Sequence, residues 1–99
     1  MKIEILPSAR DDLAEGFVFY EKQQSGLGTY FLDSLFADID SLAIHAGIHR
    51  RVFGAHRLLA RTFPFAVYYD VAGNSARIKA VLDCRRDPAW IRRKFRPAD

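Results

Sequence analysis

The stretch HRLLARTFPFAVYYDVAGNSARIKAVLDC, residues 56–84, decides the fold. Residues 56–63, 65–71 and 75–84 are three runs rich in β-branched and aromatic side chains, with apolar residues tending to recur at every second position. Pro64 separates the first two runs and Ala-Gly-Asn-Ser at 72–75 the last two. A period of two broken by turn residues predicts an antiparallel meander. If one face of it is buried, Leu58, Ala60, Ile78, Ala80 and Leu82 lie inside, joined by Phe65, Val67 and Tyr69. Arg57, Arg61, Tyr68, Asp70, Arg77, Lys79, Asp83 and Arg85 then point the other way, with Arg86 at the edge of the same side. That side is expected to be exposed and basic.

Upstream, residues 2–6 alternate with Ile3 and Ile5 on one side, which reads as a short strand stopped by Pro7. Ser8 followed by Asp11 resembles a capping box and predicts a helix from there. Ala9, Leu13, Phe17 and Tyr20 recur at helical spacing, while Asp12, Glu15 and Lys22 fall on the wet side. QQSGLG at 23–28 interrupts this pattern before Phe31, Leu35, Ile39 and Leu42 mark a second amphipathic helix, widened by Leu32, Phe36 and Ala43 and closed by Gly47 as a left-handed cap. Two helices joined by so short a loop form an antiparallel hairpin, and that hairpin is the cover available to the sheet. Downstream, Asp87-Pro88 supplies a cap and a first-turn proline for a short helix over 89–95, anchored by Trp90 and Phe95. The expected fold class is α+β: an N-terminal strand, an antiparallel helical hairpin packed on one face of a small antiparallel sheet, and a short C-terminal helix, in a single domain of residues 1–99.

Ninety-nine residues build one core and leave no room for a second lobe around a cofactor, so no cofactor is expected. The apolar stretches are short, so no membrane span is expected, and the opening residues lack the long apolar centre of a secretory signal. The expected location is the cytoplasm, and a single cysteine agrees with a reducing compartment. The net charge of +3 is unevenly divided. Residues 1–46 carry three bases against eight acids, a net of −5, and residues 47–99 carry twelve bases against four acids, a net of +8. The second half is therefore expected to meet an anionic partner, either nucleic acid or an acidic protein segment.

Arg57, Arg61, Tyr68, Arg77, Lys79, Arg85 and Arg86 are the candidate partner-binding residues, because guanidinium groups grip carboxylates and phosphates in pairs and Tyr68 can stack a base or close a peptide groove. No catalytic residue and no metal ligand is assigned. Gly47 lies between His45 and His49, and neither these nor His56 has a carboxylate or thiol at ligand spacing, so they read as loop and helix-end residues. A cysteine-phosphatase loop beginning at Cys84 would need arginine at position 90, where Trp90 stands, so Cys84 reads as a packing residue. Ser25-Gly26-Leu27-Gly28 lacks the Gly-Lys-Ser/Thr of a phosphate loop and reads as a turn.

The order of these parts, with RLLARTFPFAVYYDV at 57–71 and RIKAVLDCRRDPAWI at 77–91, resembles the ParE branch of the ParE/RelE toxin superfamily over nearly the whole chain. Phe63-Pro64-Phe65 leading into Val67-Tyr68-Tyr69, and the Arg-Arg-Asp-Pro of 85–88, are its most specific pieces. The resemblance implies a type II toxin neutralised by a cognate antitoxin whose disordered tail folds on binding. ParE-like members act on DNA gyrase, whereas RelE-like members cut messenger RNA on the ribosome. In a gap-free register Arg57 and Arg86 match two basic positions of the RelE nucleases. Leu59 replaces a lysine, Ala66 replaces an arginine, and Arg92 falls where a tyrosine would be. Cationic groups thus remain without an evident proton-transfer group, since arginine does not titrate near neutrality. The resemblance therefore implies a gyrase inhibitor that acts by binding. The alternatives are a ribosome-dependent endoribonuclease using a residue such as His56, and a non-toxic binding module of the same fold; contact with nucleic acid stays open.

Overall fold

The computed structural model describes residues 1–95. Five strands, β1 (Lys2–Ile5), β2 (Arg51–Val52), β3 (Ala55–Leu59), β4 (Phe65–Ala72) and β5 (Ser75–Asp83), form one sheet in the order β1-β5-β4-β3-β2. Four helices accompany it: α1 (Pro7–Gln23), α2 (Leu27–Asp40), α3 (Leu42–His45) and α4 (Pro88–Arg93). β3, β4 and β5 are the expected meander. The sheet is mixed, not purely antiparallel, because β1 runs parallel to β5. The long excursion through the helical layer and meander returns the chain beside β1 in the same direction. β2 is closed onto β3 by Phe53-Gly54, both at positive φ (55° and 82°), a hairpin turn that lacks its usual Asn-Gly signal and so escaped the sequence pattern.

α1 and α2 form the hairpin, burying Ala9, Leu13 and Tyr20 from one and Phe31, Leu35 and Ile39 from the other. Two glycines let the helices close. A Cβ on Gly16 would stand 2.5 Å from the Phe31 ring, and one on Gly28 2.7 Å from both the ring and the carbonyl oxygen of Phe17. Glu21, near the end of α1, caps α2: its carboxylate accepts from the Gly26 and Gly28 amides at 3.0 Å. α2 stops at Asp40, and the left-handed glycine expected at 47 (φ 93°) follows the short α3.

The capping box expected at Ser8 and Asp11 does not form. α1 starts at Pro7, and the Ser8 hydroxyl donates to the Lys79 carbonyl at 2.6 Å. β1 ends at Ile5, opposite Ile78, which leaves the edge of β5 beyond it without a strand. The start of α1 takes over: Leu6 N–H donates to the Ile78 carbonyl at 3.0 Å, and Asp12 Oδ2 accepts from Val81 N–H at 2.9 Å.

The facing of β5 changes midway. Tyr69 pairs with Ile78 but Tyr68 pairs with Ala80, so Lys79 is an extra residue in a bulge. Ile78 faces the helices with Phe65, Val67 and Tyr69, as expected, but Val81 takes the next place there. Ala80 and Leu82 turn to the opposite side with Ala55, Ala66 and Tyr68, against expectation, because one inserted residue inverts all later alternation. That second apolar face is covered by α4 through Ile91, Trp90 and Phe95. The cap of α4 is the one expected: Asp87 Oδ1 accepts from Ala89 N–H at 2.9 Å, with Pro88 in the first turn.

Candidate partner-binding surface

The side of the sheet opposite the helical hairpin is not one basic platform. Where β1, β5 and β4 run together, Arg77 meets Glu4 at 3.6 Å and Lys79 meets Asp70 at 3.2 Å, so two cations are balanced by two carboxylates. In the middle, α4 covers the sheet. Tyr68 is only 2% exposed, its ring 4.8 Å from Phe95, and it offers no open stacking surface. Burial raises its hydroxyl above the ordinary tyrosine value, partly offset by a hydrogen bond with Arg57. At the end of β5, beyond the bulge, Asp83 pairs with Phe65 and so turns to the hairpin side, against expectation; Arg85 folds back on it there, with Nη2 and Nε at 2.7 and 3.0 Å from the carboxylate. Those bonds hold Asp83 below the usual carboxylate range despite its burial. Arg86 lies over the Trp90 ring at 4.5 Å, and Lys94 reaches the same ring at 4.7 Å. Arg61 leaves the sheet altogether: its N–H donates to the buried carboxylate of Asp38 in α2 at 3.1 Å, beside a groove shared with Tyr30 and Ser41.

The seven candidates therefore separate. Arg57 and Arg86 remain on the α4 side without a carboxylate partner among the described residues, Arg77, Lys79 and Arg85 are ion-paired, Tyr68 is buried, and Arg61 belongs to the hairpin side. Next to Arg57 on β3, Leu59 is 56% exposed, paired across the sheet with Ala66. Cys84 is exposed, but partial burial of its thiol raises it above the ordinary value more than Arg57 lowers it, so it stays protonated near neutrality. His56 alternates to the other face, where its ring stacks on Tyr69 with centroids 5.1 Å apart.

Two features escaped the sequence. Asp12, which helical spacing placed on the wet side of α1, is pushed up to about 6, chiefly by burial. It lines a groove of about 280 Å³ with Phe19, Arg86 and Trp90, a proximity created by the docking of α4 that no spacing rule contains. The outward side of the hairpin also carries a groove lined by Leu13, Ala14, Phe17, Val18, Leu32 and Phe36, flanked by the half-exposed Phe19. Phe17, Leu32 and Phe36 were read as part of the stripe that covers the sheet; they line this outward groove instead, with Phe36 39% exposed. Among the described residues, no group of three His, Cys, Asp or Glu side chains is placed to hold a metal, and no helix is long and apolar enough to cross a membrane.

This arrangement, a helical hairpin on one face of a small mixed sheet and a short helix on the other, defines a two-sided α+β domain. A chain of the structure described as "Chromosomal ParDE TA system from P. aeruginosa" has the same fold, with a TM-score of 0.75 over 82% of this chain and 92% of its own length at 20% identity. No protein-family model matches the sequence, and no curated protein matches it.

Proposed function

We propose that the protein is a ParE-like toxin of a type II toxin–antitoxin system, which inhibits DNA gyrase by binding it and is neutralised by a cognate antitoxin. The fold shared with a chain of a ParDE toxin–antitoxin system supports the class. The target rests on the resemblance of the sequence to the ParE branch. One observation carries the preference for binding over catalysis: the open sheet end presents Arg57 and exposed Leu59 with, among the described residues, no group poised to move a proton. Arginine stays charged, the Cys84 thiol stays protonated, and His56 faces away. Asp12, the carboxyl displaced toward neutrality, is committed to Val81 N–H under the edge of β5.

The antitoxin suits two distinct surfaces. An amphipathic segment fits the apolar groove on the hairpin, and acidic residues in the same tail reach Arg57 and Arg86. Expression of the chain alone is expected to arrest growth, and co-expression with the product of the neighbouring small reading frame to restore it. Normal growth of cells that accumulate the folded chain would contradict the reading.

A further inference from the structure

Tyr69 is fully buried, and its hydroxyl is the hub of a network between β4 and the loop that leaves α3. Gly47 N–H donates to the Tyr69 oxygen at 3.0 Å. The hydroxyl has one proton of its own, and the partner that accepts it is Nδ1 of His49. His56 stacks on the Tyr69 ring, and its Nδ1 lies 2.7 Å from the His49 carbonyl oxygen. A carbonyl only accepts, so His56 carries its proton on Nδ1 and leaves Nε2 to accept from Arg51, 3.4 Å away. The acceptor role of His49 Nδ1 requires a neutral ring.

We propose that this network is an acid-sensitive clasp, in which protonation of His49 releases the loop of residues 46–50 from the sheet. A proton on Nδ1 turns the acceptor of the Tyr69 hydroxyl into a donor, leaving a buried hydroxyl proton without an acceptor. The ring is faced by His45 from α3, by His56 from β3 with Arg51 of β2 behind it, and by Tyr69 from β4. Among the described residues no carboxylate acts on it, so acid adds like charge to a site without a counter-ion. Burial, then His56 and His45, hold His49 below the ordinary histidine value. Ile48 lies in this loop and Ile44 just before it, 73% and 83% exposed, so beyond Ala46, which packs on the core, and the bond from Arg57 N–H to the Arg50 carbonyl at 2.9 Å, little holds the segment once the clasp breaks. The clasp is independent of the function proposed above.

The test is nuclear magnetic resonance of the full chain across about pH 5 to 7.5, where an unperturbed histidine titrates. His49 is expected to titrate below 6.5 with its neutral proton on Nε2. Protection of the Gly47 amide, corrected for intrinsic exchange, is expected to fall about tenfold as His49 charges. In His49→Gln this pH-dependent step disappears. In Tyr69→Phe, which keeps the buried ring, Gly47 is poorly protected throughout and the step is absent. Titration of His49 at or above its ordinary value, constant Gly47 protection while His49 titrates, or a pH-dependent step that survives in Tyr69→Phe would each overturn the proposal.

Discussion

Asp12 and His49 show how single residues oppose one another in the pH dependence of stability. Asp12 is raised from 3.8 to about 6, so between those values the folded protein binds the proton that the unfolded chain releases. Its contribution to stability therefore grows as pH falls from about 6 toward 3.8. His49 is displaced downward, so its contribution is present above 6.5 and is lost as pH falls below that value. Asp12→Asn keeps an oxygen for Val81 N–H and removes the titration. Urea unfolding at several pH values should show the variant losing the acid-side gain. A shift of this size corresponds to about 3 kcal/mol for an enclosed group; partial solvent contact reduces the expected effect to about 1 kcal/mol. An unchanged pH slope in the variant would contradict this role. Position on a helical wheel cannot reveal such a group, because its burial comes from β5 and α4, which are distant in sequence.

At the scale of elements, the helical hairpin depends on a close approach and a borrowed cap. Gly28→Ala places a methyl 2.7 Å from the backbone oxygen of Phe17, which cannot move as a side-chain tip can. The overpacking should cost about 1–3 kcal/mol, outweighing any gain in helix propensity. Glu21→Ala removes the acceptor for the Gly26 and Gly28 amides and should cost about 1 kcal/mol. Thermal unfolding checks both, and a stabilised Gly28→Ala would refute the packing account. Apart from β2 and the break between α2 and α3, the elements were legible because their signals are local: period 3.6 in the hairpin, period two in the meander, and Asp87-Pro88 ahead of α4. The bulge at Lys79 was not, since nothing in Ile-Lys-Ala-Val distinguishes continuous alternation from one inserted residue. Ser8 misled for a related reason: its hydroxyl serves the open edge of β5, a need that arises only once β1 has paired and stopped.

For the whole molecule, the charge imbalance of the second half is real in sequence but divided in space. Trp90 and Phe95 were read as anchors and are anchors, yet the face they cover was read as open. The candidate surface was thus legible in residue type and not in grouping, because ion pairing with Glu4, Asp70 and Asp83 depends on register. It follows that Arg57→Gln should weaken binding of the proposed antitoxin several-fold and flatten its salt dependence, whereas Arg77→Gln, already paired with Glu4, should leave both within about twofold. Equal effects of the two substitutions, measured by titration at low and moderate salt, would restore the single-platform picture. The most direct test of the binding mechanism is to map nucleic-acid breaks in cells during growth arrest by the chain. Binding inhibition of gyrase predicts protein-linked DNA breaks with translated messages intact, and cuts mapped within translated messages without gyrase-linked DNA breaks would contradict it.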